Sequence, residues 1–436
     1  TLHGEITLPL PLGSVGGSIG IVPLVKVNHK LLEIENAIEL EKVVASVGLG
    51  QNLAALYALV TEGIQKGHMR LQLKSLVSSI GATEKEIPLV VSKLEKLNKR
   101  DMSTAKEILD NLRNWGEIMT EEINFSKATK SLMKKVEAIF PEGVGINVKK
   151  DSKLGYVRHD QAQQYLRGGQ LMIDIYDMTR PDYTVAHELL HFLHMFNGAP
   201  QISFNLTTKK KDLDTKFMAT GLELYDIVMH DYVYREQAEL GMMTDEIKEL
   251  YFKGVLSVLK PEQGERDQWM VLRILTLLDT LLFFKDEQDS VKDKLMELYP
   301  ISFEAAQRLY EILIERSLDS AFAIRRTVVK LFKAFDDELS KLGMVPMNMT
   351  EFATLSVVLS ERQMRLQVRQ LFNIVHSPLD DNLTFKSAYV GQWKNDGQNS
   401  FVLADPGKDS AKKFVEYYNM KVTDFLDSIG IEYLKR

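Results

Sequence analysis

The chain is patterned mainly as amphipathic helices. Apolar residues recur every three or four positions over Ala37–Val47, Gly50–Gln65 and Arg70–Ile80, a spacing typical of helices with one buried face. Beyond about residue 207 the same spacing predicts consecutive helices joined by short turns, among them Gly221–Ala238 and Leu355–Ile374. Helices therefore dominate both the first and the last third of the chain.

Alternation of apolar and polar residues, which predicts strands, is confined to short stretches. It occurs in Glu5–Leu8, in Gly145–Val148 and in Gly169–Tyr176, the last of which reads GQLMIDIY. The pattern predicts an α+β protein that is predominantly α, with a small sheet followed by a large helical region.

The composition excludes several classes of function. The 436 residues carry a formal net charge of -6, which argues against nucleic acid or an anionic membrane as a partner. The absence of cysteine excludes disulfides and thiolate metal sites and suits a reducing cytoplasm. The longest apolar run, Val271–Phe284, is interrupted by Arg273 and Asp279 and is shorter than the roughly 20 residues that span a bilayer. We predict a cytoplasmic protein of two or three domains.

A metal-binding pattern directly follows the strand GQLMIDIY. A helix is predicted to start at Thr179–Asp182, with proline in its first turn, and its body carries His187, Glu188 and His191 as H-E-x-x-H. At 3.6 residues per turn, His187 and His191 project from one face and can both reach a zinc ion. Glu188 lies about 100° around the helix, where it can accept a proton from a water that the metal activates.

A catalytic zinc site needs a third protein ligand and keeps one position open. His194 follows one turn after the motif, but a straight helix seldom aims three ligands at one ion, so we predict that it either supports a ligand from behind or packs. Glu223, Asp226 and His230 share one face of the predicted helix Gly221–Ala238. Either Glu223 or His230 could complete the site, and Asp226 could orient one of the histidines by a hydrogen bond.

The phrase LYDIVMHDYVYREQAELGM, together with the H-E-x-x-H helix, resembles bacterial zincin-like metallopeptidases that carry a histidine at this point. The resemblance favours His230 as the third ligand, with Glu223 as the alternative. It implies that residues 121–436 form a zinc-dependent metallopeptidase that acts on a peptide or protein substrate. A zinc-stabilised helical binding module without enzymatic activity is the non-catalytic alternative.

A different pattern marks the beginning of the chain. Gly48–Met69 reads GLGQNLAALYALVTEGIQKGHM, an apolar-periodic helix in which Gly63 and Gly67 predict a break before the lone histidine His68. That break would place a titratable imidazole on a loop held by a rigid helix. With GEITLPLPLGSVGG before it and KEILDNLR after it, this stretch closely resembles the C-terminal part of class II hydroxymethylglutaryl-CoA reductase over residues 1–114.

The reductase resemblance implies an activity and its residues. Family members reduce hydroxymethylglutaryl-CoA to mevalonate and CoA with hydrides from NAD(P)H, and they dimerise. By resemblance, His68 would protonate the departing CoA thiolate and Gln51 would line the substrate pocket. The family's catalytic lysine, aspartate and glutamate and its nicotinamide-binding domain are expected upstream of Thr1. We therefore expect that this chain alone does not reduce the substrate.

The reductase resemblance ends at a junction between two dissimilar parts of the chain. Residues 115–120 separate the reductase-like residues 1–114 from the zincin-like residues 121–436, and Met119 with the polar, acidic stretch after it looks like the start of an independent protein. Our hypothesis is that two adjacent genes are joined here. Three functions follow from it: a reductase fragment joined to a peptidase, a peptidase as the functional unit, or a zinc-stabilised binding module.

Overall fold

The protein forms two compact units, Thr1–Trp115 and Gly116–Arg436. The computed structural model describes residues 5–9, 12, 31–32, 34, 36–60, 64–83, 86–95, 100–106, 108–109, 123–150, 152–167, 169–264 and 266–436, with the backbone alone at 54–60, 64–71, 93 and 408. The predicted junction at residues 115–120 lies outside the described residues.

The first unit is helical wherever it is described as regular structure. Helix α1 spans Ala37–Val60, α2 spans Ile64–Ser79 and α3 spans Ile87–Glu95. Helices α2 and α3 pack together because each carries apolar side chains four residues apart on one face. The buried core of this unit consists of Leu73, Val77, Val90, Val91, Leu94, Ala105 and Leu109.

Three local predictions for this unit were wrong. Helix α1 continues through Gly48 and Gly50, where two helices were predicted, because single glycines cost a helix only about 1 kcal/mol each. For the same reason Gly67 does not end a helix, and the backbone of His68 lies inside α2 and not on a loop. The alternation in residues 5–9 does not form a strand.

The second unit begins with a three-stranded sheet covered by helices. Helix α4 spans Lys127–Ile139, strands β1, β2 and β3 span Val144–Val148, Ala162–Arg167 and Gln170–Ile175, and helix α5 spans Pro181–Phe196. Strand β3 is central, parallel to β1 and antiparallel to β2. The predicted strands and the helix start at Pro181 are confirmed, and a short connection carries the chain from β3 into α5.

A helical region follows and contains the largest core cluster. Helix α8 is its centre: nearly all of its residues are buried, and it packs against neighbouring helices on several sides. The apolar run noted in the sequence is thus a core helix. No helix in the described part of the chain is long and apolar enough to cross a bilayer. The helices are α6 Lys211–Glu239, α7 Asp245–Val258, α8 Met270–Phe283, α9 Asp289–Leu298, α10 Pro300–Ile314 and α11 Ala321–Lys341.

The chain ends in strands and short helices. The elements are β4 Ile202–Ser203, β5 Leu206–Thr207, α12 Met349–Phe352, β6 Thr354–Leu355, β7 Val357–Leu359, α13 Val368–Leu371, β8 Phe372–Asp381, β9 Ser387–Trp393, β10 Asn399–Ala404, α14 Ser410–Asn419, α15 Val422–Ser428 and β11 Tyr433–Lys435. A four-stranded antiparallel sheet has the order β10-β9-β8-β5, β11 pairs in parallel with β7, and β4 pairs with β6.

The helix predicted over Leu355–Ile374 was wrong, because strands β6 and β7 and the start of β8 occupy this range together with a short helix. All three residues of β7 are buried, so the strand reads as a continuous apolar run without alternation. Such runs are ambiguous between helix and strand, and here the β-branched Val357 and Val358 were the signal for a strand. The fold as a whole is α+β and predominantly α, as predicted.

Candidate metal centre

Helix α5 carries two imidazoles on one face, His187 buried and His191 partly buried. His187 and His191 lie one turn apart, and their Nε2 atoms are 3.2 Å from each other. Tetrahedral zinc with Zn–N bonds of 2.0–2.1 Å would place two ligand nitrogens about 3.3 Å apart. The two nitrogens thus already have the spacing that a shared zinc ion requires.

Helix α6 brings His230 against this pair. The His230 ring centroid lies 5.0 Å from that of His187 and 4.9 Å from that of His191. Imidazoles bound tetrahedrally to one ion would have centroids about 5 Å apart. The structure therefore brings together the three histidines that the sequence proposed as ligands, because α6 packs directly on α5.

A buried carboxylate holds His230 from behind. Asp279 on α8 is only 1% exposed, and its Oδ1 accepts a hydrogen bond of 2.6 Å from Nδ1 of His230. Its Oδ2 accepts hydrogen bonds from the hydroxyls of Tyr234 and Tyr251, at 2.8 and 2.5 Å. Carboxylates commonly bond the second nitrogen of a metal-binding histidine in this way, which leaves Nε2 of His230 with its lone pair.

We expect Asp279→Asn to weaken zinc binding by about 10- to 100-fold, as removal of such carboxylates usually does. The neutral amide offers one oxygen where the carboxylate offers two, so it cannot accept from His230 and the tyrosines together. A competition titration against a chromophoric chelator measures the effect. Asp293→Asn, an exposed position on α9, is the matched control. Equal affinities of both variants and the parent would contradict the role given to Asp279.

Gln237 orients the second imidazole. Its Oε1 lies 3.3 Å from Nδ1 of His187, so Nδ1 can donate the hydrogen bond and Nε2 keeps its lone pair. Asp226, which the sequence proposed for such a role, is joined to no histidine by a hydrogen bond in the part of the chain that the structure describes. The hydrogen bonds to the imidazoles come from Asp279 and Gln237, and not from Asp226.

A fourth histidine, His159, was missed by the sequence analysis. Its Nε2 lies 2.5 Å from Oδ2 of Asp279, and its ring centroid is 4.6 Å from that of His230 and 5.5 Å from that of His187. Ring nitrogens of His159, His187 and His230 all lie within 4.8 Å of one another. His159 has no partner at ligand spacing in the sequence, so only the fold reveals it.

The segment that carries His159 is docked on helix α7 through a glycine. The amide of Val157 donates to the carbonyl of Leu250, and a Cβ at Gly254 would overlap the carbonyl oxygen of Val157. Glycine is therefore required at this point for the close approach of the two backbones.

We expect Gly254→Ala to destabilise the second unit by about 1–3 kcal/mol, since backbone must move to admit the methyl group. Urea unfolding of the full chain measures the loss. Gly50→Ala is the control, because a Cβ there meets nothing within 4 Å. An unchanged unfolding midpoint for Gly254→Ala would contradict the close approach of Val157.

Burial keeps the three proposed ligands neutral. Burial and the neighbouring histidines hold the pKa of His187 and that of His191 well below the usual range. Burial also lowers the pKa of His230, and this outweighs the opposing effect of Asp279. For His159 burial alone would lower the pKa, but Asp279 outweighs it and raises the pKa. Neutral imidazole is the form that binds a metal.

Three carboxylic acids lie beside the histidines. Burial, then the Asp226 carboxylate, raises the pKa of Glu188 to about 8. Burial, then Glu223, raises the pKa of Asp226 to about 7, and burial raises that of Glu223 as well. Glu223, the alternative third ligand, is not among the residues whose ligand atoms all lie within 4.8 Å of one another, and neither is His191. The ring of His230, in contrast, lies beside the rings of both His187 and His191, which favours His230 over Glu223.

The remaining predicted residues lie apart from this cluster. His194 stacks on Tyr232 at 4.0 Å between ring centroids, and burial followed by Arg235 lowers its pKa to about 4. Gln51 lies exposed on α1. The side chain of His68 lies outside the described residues, so the candidate reductase site has no described geometry.

Residues 1–73 match the family model described as hydroxymethylglutaryl-coenzyme A reductase. The 3-hydroxy-3-methylglutaryl-coenzyme A reductase of Archaeoglobus fulgidus is 43% identical over 113 residues, which are 26% of this chain and 26% of that protein. The probable 3-hydroxy-3-methylglutaryl-coenzyme A reductase of Borreliella burgdorferi is 32% identical over 116 residues, 26% of this chain and 27% of that protein.

A solved structure of 3-hydroxy-3-methylglutaryl-coenzyme A reductase from Streptococcus pneumoniae shares 46% identity over 24% of this chain and 25% of that chain, with a TM-score of 0.13. A score this low carries no argument about fold. The chain spans about a quarter of the length of these relatives. Residues 1–73 thus carry a reductase segment, which confirms that resemblance, and the family match ends before the metal centre.

Proposed function

We propose that the chain combines two functions: residues 1–114 are a C-terminal part of a hydroxymethylglutaryl-CoA reductase, and residues 121–436 are a zinc-dependent peptidase, with the junction at 115–120. The family match supports the first function. The second rests on one observation, the convergence of His187, His191 and His230 beside the buried Glu188.

The residues present fit a zinc ion. His187, His191 and His230 are neutral imidazoles at ligand spacing, and Asp279 and Gln237 hold two of them in the tautomer that leaves Nε2 free. When bound, zinc would polarise a peptide carbonyl and activate a water for attack on it. Three nitrogen ligands at this spacing are typical of catalytic zinc sites, which keep a fourth position open for water or substrate.

Glu188 is the proposed general base. It follows His187 on α5, is 8% exposed, and has no hydrogen-bond partner among the described residues. Its carboxylate form would take a proton from the attacking water and give it to the departing amine. Since burial raises the pKa of Glu188 to about 8, the carboxylate prevails only above about pH 8.

Metal analysis of the purified full chain tests the peptidase. We expect about one zinc ion per chain, cleavage of peptides in a mixed library read by mass spectrometry, loss of cleavage with a chelator and recovery on adding zinc. A chain that retains no divalent metal would contradict the proposal. Zinc retained without cleavage of any peptide would favour the non-enzymatic binding module.

The reductase segment is proposed to contribute to the reduction of hydroxymethylglutaryl-CoA to mevalonate and CoA by NAD(P)H. His68 would protonate the CoA thiolate and Gln51 would line the substrate pocket. A homodimer is supported by exposed apolar side chains on α1, namely Ile38, Val44, Val47 and Leu53.

A chimera tests the reductase segment. Residues 1–114 would replace the corresponding part of a complete relative, and NAD(P)H oxidation would be followed with hydroxymethylglutaryl-CoA. We expect an active chimera that loses about 10²- to 10⁴-fold in turnover on His68→Ala, the usual contribution of a general acid. Gln65→Ala is the control. An inactive but folded chimera would contradict the assignment.

A further inference from the structure

Three carboxyl groups beside the metal centre have no partner in the described part of the chain. Glu188 on α5 and Glu223 and Asp226 on α6 form no hydrogen bond and no ion pair with any described residue. Glu188 is 8% exposed, and the two acids on α6 are partly buried. Burying a carboxyl without a partner is costly, so such a group in a folded protein indicates a ligand or a catalytic role.

The three carboxyls lie close enough to affect one another. Burial and then the Asp226 carboxylate raise the pKa of Glu188, and burial and then Glu223 raise that of Asp226. Repulsion of this kind is strong only between near neighbours, so the buried Glu188 carboxyl is directed toward the acids on α6. Their oxygens, although unpartnered, are not sealed from solvent, so they line a space that a ligand can enter.

Positive charges of the chain do not balance these acids. Burial raises the pKa of Glu223, and the two cations that oppose this effect, His159 and Arg158, are each bound to another acid. His159 donates to Asp279, and Arg158 forms an ion pair of 2.5 Å with Asp160. A zinc ion at the three histidines would add two positive charges, which the three carboxyls and Asp279 together outnumber. The site therefore favours a further, positively charged ligand.

The spacing of the acids favours an organic cation over a second metal ion. A calcium ion held by protein gathers several oxygens around one point at 2.3–2.6 Å. In the described part of the chain, the ligand atoms that all lie within 4.8 Å of one another belong to His159, His187 and His230, and not to the acids. An ammonium or guanidinium needs only one or two carboxylates, because water can accept from its remaining hydrogens.

Helix α6 sets the distance between the acids and the metal centre. Asp226 precedes His230 by four residues and Glu223 precedes it by seven, so all three share one face of the helix. At a rise of 1.5 Å per residue, Asp226 lies about 6 Å and Glu223 about 10 Å from His230 along the helix axis. Residues of an extended peptide are spaced by about 3.3 Å. The acids thus lie beside substrate residues within about three positions of the bond at the metal.

Building on the proposed peptidase, we propose that Glu223 and Asp226 bind a positively charged group of the substrate close to the cleaved bond. The group is an ammonium or guanidinium, supplied either by a free amino terminus or by a lysine or arginine side chain. Both sources offer several N–H donors to carboxylates in charge-assisted hydrogen bonds. The two acids then determine the specificity of the metal centre.

Matched peptides test the charge without altering the protein. One pair differs only in acetylation of the amino terminus, and a second pair, acetylated throughout, carries lysine or norleucine near the cleaved bond. We expect kcat/KM of the zinc-loaded full chain to be about 10- to 100-fold higher for the charged member of at least one pair, as for hydrogen bonds to charged groups. The pair that responds identifies the source of the cation. Equal values within both pairs would overturn this proposal and leave the peptidase standing, whereas no cleavage of any peptide would overturn both.

Two variants assign the preference to the acids. Asp226→Asn and Glu223→Gln keep the shape of the side chain and remove its charge, so the ratio of kcat/KM within the responding pair should fall about tenfold toward one. Asp212→Asn and Glu239→Gln, exposed positions on the same helix, are the matched controls and should keep the ratio of the parent. A merely structural role would lower both values alike and keep the ratio, and that result would overturn the proposal. If one variant does not fold, the other still gives the ratio.

Discussion

Replacing His187 by alanine should reduce zinc affinity by about 100- to 1000-fold, the largest effect expected from any single change in this protein. Zinc bound by a complete coordination sphere is worth about 10–16 kcal/mol, so one of its four positions contributes roughly 2.5–4 kcal/mol. Nε2 of His187 lies 3.2 Å from Nε2 of His191, so the substitution removes one of the two nitrogens that already have the spacing of zinc ligands.

A competition titration with a chromophoric chelator measures this effect in the full chain. The control is His194→Ala, a histidine of the same helix that stacks on Tyr232 and faces no other imidazole. It should bind zinc as the parent does. If His187→Ala retains the affinity of the parent, zinc is bound elsewhere, and the assignment of the centre to α5 and α6 is wrong.

Glu188→Gln should lower peptide turnover by about 10²- to 10⁴-fold and leave zinc bound. The amide has nearly the shape of the carboxylate, so it fits the same buried position, but unlike the carboxylate it cannot take a proton from water. The three histidine ligands keep their spacing, since none of their hydrogen bonds involves Glu188. Glu188→Gln thus lowers turnover at full metal content, whereas His187→Ala lowers the metal content itself.

The turnover of Glu188→Gln is measured on the peptide that the parent cleaves fastest, with zinc content determined in the same sample. Glu239→Gln, an exposed position at the end of α6, is the control and should keep the activity of the parent. A zinc-loaded Glu188→Gln with undiminished cleavage would remove the general base from the mechanism.

Asp279 shows how much of the site the local sequence pattern could reveal. In the sequence it is only an interruption of an apolar run, and a lone carboxylate among buried residues was a signal that could have been followed. In the structure the same residue accepts hydrogen bonds from His230, His159, Tyr234 and Tyr251. A carboxylate is costly to bury without partners, so its presence in a core helix indicates a specific polar site.

The C-terminal strands show where the local sequence pattern gave a wrong prediction. Strand β7 is buried along its whole length, and the apolar positions around it fitted a helical spacing as well. Periodicity distinguishes helix from strand only where one face is exposed, and a fully buried segment shows no period. Pairing of β7 with β11 joins segments far apart in the chain, which no local pattern could reveal.

The sequence by itself determined the reductase segment and the pairing of His187 with His191 on helix α5. Both are local: exact short runs mark a family, and two histidines four residues apart share a helix face whatever the rest of the chain does. The tertiary structure decided which polar residues meet these two histidines. His159, His230 and Asp279 come from three different elements, and only the packing of α6, α8 and the turn at His159 brings their nitrogen and oxygen atoms within hydrogen-bonding distance.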